Sequence, residues 1–211
     1  MEIKFSNVSK VFKEEKVIEN VNLVFKSGKI IGLTGRNGSG KSVFCKMLCG
    51  FMEPSTGEIL VDGENFIQRG NYPKSTRALI EKPTFIPDLS GYDNLLLLAN
   101  IQKLVGETEI NETLKRVNLY ESKDKLYKNY SLGMKQKLGI AQVLMESPNI
   151  MILDEPFNGI ETETVAKLRK ELVVEKEKGK LIIIASHIKE DIEELADIIY
   201  KFEDGKVTKI S

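Results

Sequence analysis

Residues 29–42 read KIIGLTGRNGSGKS. The opening KIIGL is a short strand whose consecutive apolar residues suit burial on both faces. A helical pattern, KSVFCKMLCG, begins at residue 41 and is stopped by Gly50. The loop between them fits the spacing G-x-x-x-x-G-K-[ST]. Its glycines let successive amide N–H groups turn inward and form a nest for an anion. The helix behind it adds its own unsatisfied N–H groups and the positive end of its dipole. Gly35, Arg36, Asn37, Gly38, Ser39 and Gly40 are therefore expected to wrap phosphates. Lys41 would reach the β- and γ-phosphates, and the Ser42 hydroxyl would bind Mg²⁺. A bare glycine-rich turn would need neither the strand before it nor the helix after it.

A second stretch, NIMILDEP at 149–156, supplies carboxylates where such a loop needs them. Four apolar residues end in Asp154 and Glu155. Side chains at that end of a strand project into the crevice where open α/β folds bind ligands. Asp154 is expected to hold Mg²⁺ through its water shell, and Glu155 to polarise an attacking water. The two stretches together point to a nucleoside triphosphatase.

Working outward, EIKFSNV (2–8) and NVNLVF (20–25) alternate like paired strands across the polar turn KEEK. GEILVDG (57–63) is a short strand closed by Asp-Gly. From Ser90 to about Asn129 the character becomes helical, with Ser90 and Thr108 as expected N-caps. A further helix starts near Leu132 and another runs from about Thr162 to Lys178. LIIIAS (181–186) is, like IMIL (150–153), a buried strand, IKEDIEELA (188–196) a short helix, and IIYKFEDGKVTKI (198–210) a hairpin turning at Asp204-Gly205. Strands alternating with helices argue for a mostly parallel sheet covered on both faces. The fold expected is α/β: a P-loop NTPase core with an N-terminal antiparallel β part and an inserted helical lobe.

The 211 residues carry 31 Lys and Arg against 31 Asp and Glu, so general attraction to nucleic acid or anionic lipid is not expected. No apolar run approaches the roughly 18 residues that would span a bilayer, and MEIKFSNVSK lacks the apolar stretch of a signal peptide. Cys45 and Cys49, the only cysteines, fall on one helix face, which suits core packing in a reducing compartment rather than zinc or a disulfide framework.

The stretch YSLGMKQKLGIAQVLMESPNIMILDEP (130–156) resembles the signature and Walker B region of the ATP-binding cassette family, and the likeness extends over essentially the whole chain. The resemblance implies one ATPase domain over 1–211, with a helical subdomain at about 82–145. Ser131 and Gly133 would contact the γ-phosphate of ATP held by another subunit. Tyr130, Leu132 and Met134 depart from the usual Leu-Ser-Gly-Gly-Gln. His187, the single histidine, matches the switch histidine that touches the γ-phosphate, and Phe12 the aromatic that stacks on adenine. In FNGIE (157–161), Glu161 stands where an aspartate is usual. In ALIEKPTFIP (78–87), Glu81 occupies the place of a glutamine that senses Mg²⁺ and the attacking water. A glutamate there resembles the branch serving lantibiotic and bacitracin self-protection transporters.

The family likeness thus implies ATP and Mg²⁺ as cofactors and hydrolysis of ATP to ADP and phosphate. It implies an ATP-dependent homodimer, or pairing with a similar ATPase subunit, and a separate membrane permease docked on the helical lobe. Cargo would be an antimicrobial peptide or drug, and the chain would sit at the cytoplasmic face of the membrane. Non-transport relatives linked to DNA repair or translation usually carry coiled-coil insertions, paired cassettes or basic arms, which are not evident in the sequence. A small-molecule kinase would leave the signature and His187 unexplained.

Overall fold

The computed structural model describes residues 1–66 and 73–211. In chain order its elements are β1 (Glu2–Phe12), β2 (Glu15–Lys26), β3 (Lys29–Thr34), α1 (Lys41–Leu48), β4 (Thr56–Val61) and β5 (Thr76–Leu79). Then follow α2 (Gly91–Gln102), α3 (Glu107–Arg116), α4 (Leu132–Leu144), β6 (Ile150–Asp154) and α5 (Thr162–Glu177), and last β7 (Leu181–Ser186), α6 (Lys189–Glu193), β8 (Ile198–Glu203) and β9 (Lys206–Lys209).

Two sheets result. An antiparallel one runs β2-β1-β4, and a six-stranded one runs β5-β6-β7-β3-β8-β9. The first five strands of the larger sheet are parallel and β9 folds back antiparallel on β8. That hairpin turns where expected, at Asp204 and Gly205, both at positive φ. In β1 the inward residues are Ile3, Phe5 and Val8, which breaks strict alternation. A bulge with Asn7 at φ 51° absorbs the extra residue and returns Val8 to the core.

Every residue of β6 and β7 is buried, and neighbouring residues feed opposite sides of the sheet. Ile31, Ile152 and Ile183 pack with Phe44 and Met47 of α1 and with Phe5 and Phe25 of the antiparallel sheet. Ile30, Met151, Leu153 and Ile182 pack on the other side with Leu138 of α4, Leu168 of α5 and Ile192 of α6. The central strands therefore end in fixed positions, because both faces are clamped. Gly32 in β3 lets α6 sit close: a Cβ there would meet Ile192 Cγ2 at 2.4 Å. Cys45 and Cys49 are free thiols in the α1 core, and burial pushes Cys49 up to about 12.

Helices α2, α3 and α4 lie between β5 and β6 in the chain and share a core through Leu95, Ile110, Leu114 and Leu138. Ser90 caps α2 as expected, accepting from the Asp93 N–H at 3.0 Å. Thr108 does not cap α3. The Glu109 carboxylate reaches back to the Gly106 N–H at 2.8 Å, which fixes the N-cap at Gly106 and leaves Thr108 inside the first turn. No helix among the described residues is long and apolar enough to cross a membrane.

Candidate active site

Strand β3 delivers the chain into the glycine loop at Thr34. Gly35 (φ 152°), Gly38 (φ 82°) and Gly40 (φ 98°) all adopt backbone that L side chains rarely tolerate. A Cβ at Gly35 would stand 2.4 Å from the Phe202 carbonyl oxygen, and one at Gly40 would stand 2.9 Å from that of Val17. Gly40 is the N-cap of α1 and brings no side-chain cap, so the opening N–H groups of the helix stay available to an anion. Lys41 is buried and folds back over the loop, donating to the carbonyls of Gly35 at 2.7 Å and Arg36 at 3.1 Å. Burial holds its pKa below the ordinary lysine value, against the opposing pull of Glu155 and Asp154. The loop opens on a cavity of about 880 Å³ walled by residues 35–39, by His187, by Lys16 and Val17 of β2, and by the turn from Phe202 to Gly205.

Asp154 closes β6 beside this loop. One of its oxygens accepts the Ser42 hydroxyl at 2.5 Å, joining residues 112 apart in sequence. The other, Oδ1, is buried with no partner. Burial raises the Asp154 pKa, aided by the charges of Glu155 and Glu81 and opposed by Ser42 and Lys41. An orphaned carboxylate oxygen beside a hydroxyl is a hard-oxygen donor set. Among the described residues no three His, Cys, Asp or Glu side chains gather as a metal cage. Such sparse oxygen ligation fits Mg²⁺, which keeps most of its water and takes one or two protein ligands plus phosphate oxygens.

Glu155 follows in a left-handed conformation (φ 49°), its N–H donating to the Ala185 carbonyl at 2.8 Å. This turns its carboxylate toward the end of β7. Oε1 accepts from the His187 N–H at 3.0 Å and lies 2.8 Å from His187 Nδ1. Oε2 accepts the Ser186 hydroxyl at 3.2 Å. Gln136 of α4 holds the Glu155 carbonyl at 3.0 Å. Glu81, also at positive φ, pairs with Lys46 Nζ at 2.5 Å, one helical turn beyond Ser42 on α1.

The loop, Ser42, Asp154, Glu155 and His187 are thus brought together, with Glu81 nearby. Phe12 is half-exposed at the tip of β1 with the Lys10 ammonium 5.2 Å from its ring centroid. It does not wall the cavity itself but belongs to the hairpin that does. Ser131 and Gly133 lie elsewhere: Ser131 caps α4, accepting from the Met134 N–H at 3.2 Å, and neither residue lines the cavity. Glu161 is the N-cap residue of α5 and stands 3.9 Å from Lys137 of α4. Gln136, Ser186, Lys46 and the Phe202–Gly205 wall were not singled out from sequence. Ser186 adjoins His187, and Lys46 follows Ser42 by one turn, so both carried a local signal.

A family model described as ABC transporter matches residues 18–158. The chain belongs to the ABC transporter family. The bacitracin transport ATP-binding protein BcrA of Enterococcus faecalis is 37% identical over 210 residues, covering 98% of this chain and 68% of that one. The lantibiotic transport ATP-binding protein SrtF of Streptococcus pyogenes is 36% identical over 205 residues, covering 97% and 88%. Among solved structures, an ATP binding subunit of an ABC transporter superposes with a TM-score of 0.88 at 27% identity, covering all of this chain and 90% of that one. The α/β cassette fold expected from sequence is the fold found.

Proposed function

We propose that this chain is the ATP-hydrolysing subunit of an export transporter, converting ATP and water to ADP and phosphate to drive a separate membrane permease. The observation that carries the reading is the Ser42–Asp154 hydrogen bond, which ties the phosphate loop to the strand-end carboxylates. Lys41 exchanges the Gly35 and Arg36 carbonyls for phosphate oxygens. Ser42 and Asp154, with Glu81 close by, would hold Mg²⁺, which would supply neutralisation of phosphate charge. Glu155 orients a water and accepts its proton, while His187 contacts the γ-phosphate. Phe12 stacks on adenine once Lys10 yields a ring face.

Ser131 and Gly133 serve the ATP of a second cassette, either a copy of this chain or a similar subunit. Their separation from the cavity supports that division, since one chain then holds half of each site. The helical lobe, about residues 82–145, docks the permease and places the chain at the cytoplasmic membrane face. BcrA and SrtF, similar over nearly the whole chain, support an antimicrobial peptide or drug as cargo. The ATPase rate should rise faster than linearly with protein concentration. Glu155→Gln should bind ATP, nearly stop turnover and elute as an ATP-dependent dimer in size exclusion. Normal turnover in that variant would remove Glu155 from its role.

A further inference from the structure

Ser186 is fully buried between two carboxylates. Its hydroxyl lies 3.2 Å from Glu155 Oε2 and 3.3 Å from Asp191 Oδ2, and it accepts the Ile188 N–H at 3.0 Å. A hydroxyl has one proton to donate. At these nearly equal distances it can satisfy Glu155 or Asp191, not both at once. Asp191 has another donor: the guanidinium of Arg169 on α5, at 2.7 Å from Oδ1, which also binds Glu194. Arg169 further packs 5.7 Å from the centroid of Phe157, two residues past Glu155. Asp191 is held near Ser186 because Gly32 admits α6 tightly onto β3.

We infer that Arg169 and Asp191 are positioning residues for Glu155. The guanidinium satisfies Asp191 by a charge-assisted bond, so the Ser186 proton is left for Glu155. With one oxygen on Ser186 and the other on His187, the Glu155 carboxylate has a single orientation. Without Arg169, an uncompensated Asp191 becomes the stronger acceptor and takes the hydroxyl, and Glu155 loses one of its two anchors. This inference rests on the proposed role of Glu155 in hydrolysis, but the geometry it predicts is measurable without nucleotide.

Three variants test it, each checked for folding by thermal melt. Arg169→Gln should lower turnover about 10- to 100-fold, the range for one lost hydrogen bond to a charged group, with ATP affinity unchanged. Adding Asp191→Asn should restore most of the turnover, because the neutral amide no longer competes for the proton and can itself donate to Ser186. His187 is the only histidine, so its imidazole resonances report the Glu155 carboxylate in the nucleotide-free chain. They should shift in Arg169→Gln and return in the double variant. If Arg169→Gln fails to fold, Ser186→Ala keeps the Arg169–Asp191 pair and should show the same turnover loss and imidazole shift. A double variant no better than Arg169→Gln, or wild-type resonances in Arg169→Gln or Ser186→Ala, would overturn the inference. A wild-type chain that neither binds nor hydrolyses ATP would instead defeat the ATPase reading and leave the resonance test standing.

Discussion

Asp154→Asn should make the nucleotide-free protein more stable while ruining its nucleotide chemistry. Asp154 is only 3% exposed, its Oδ1 has no partner, and Glu155 and Glu81 crowd it with like charge. An unsatisfied buried acceptor costs about 1–3 kcal/mol, more when charged. Asparagine keeps a carbonyl oxygen for the Ser42 hydroxyl and removes the charge, but gives up attraction to Lys41 and sets an amide NH₂ in place of the orphaned oxygen. Relief of the buried charge leaves a net gain of about 1 kcal/mol, which for a chain of this size raises Tm by about 2–4 °C. The pH dependence has a definite sign. Because the folded pKa is raised above the ordinary value of 3.8, the folded state binds more protons than the unfolded one between those two values. Wild-type stability therefore falls as pH rises through that window. The advantage of Asp154→Asn should be absent below the ordinary value and complete above the raised one. Thermal unfolding in EDTA, from acid to neutral pH, measures it. Adding Mg²⁺ and ATP should reverse the ranking, since ligand at a hundred times Kd stabilises only the chain that binds it, by about 2.7 kcal/mol. A neutral-pH Tm in EDTA that is equal or lower in the variant would refute the reasoning.

Lys41→Ala removes the cation poised over the loop and should weaken ATP binding by about one to two orders of magnitude in calorimetry; unchanged affinity would defeat the phosphate-loop reading. Glu81→Gln removes a charge beside Asp154 and frees Lys46, so nucleotide binding should depend less steeply on free Mg²⁺ than in wild type. Superimposable Mg²⁺ curves would place Glu81 outside the site. Gly133→Ala would put a Cβ 2.4 Å from the Gly159 carbonyl oxygen, backbone against backbone; it should spare ATP affinity of the isolated chain yet sharply reduce concentration-dependent turnover. Phe12→Ala should weaken ATP modestly and erode preference for adenine, and a variant with unchanged ATP affinity and unchanged preference for ATP over GTP would make Phe12 a packing residue.

What the sequence made legible was local. The phosphate loop carries its spacing within eight residues, and β6 and β7 announce themselves as apolar runs ending in Asp154 and Ser186. Ser90 could be identified as a cap because its partner is three residues away. Thr108 misled because a serine-like hydroxyl and an acidic first turn favour several registers, and only the Glu109–Gly106 bond selects one. The bulge at Asn7 was invisible to a period-two reading that treats the strand as regular. Least legible were the pairings across the fold: Lys46 with Glu81, Gln136 with the Glu155 carbonyl, and the Phe202–Gly205 turn against Gly35. None has a sequence period, since each depends on which strands become neighbours.

That neighbour relation also sets a schedule. Strand β3 is made early, yet both strands that flank it, β7 and β8, come from the far end of the sequence, and the Ile30 N–H is held by Asp197, 167 residues later. At ribosomal speeds of about 5–20 residues per second, the phosphate loop waits roughly 10–30 s for its walls. Until then β3 is an apolar strand with two open edges, a shape that invites wrong pairings. A growing chain therefore has no finished nucleotide pocket to fill before synthesis has passed residue 205. The greatest exposure to misassembly falls in that interval, so slowing translation between β6 and β7 should cost soluble yield more than slowing it after β8.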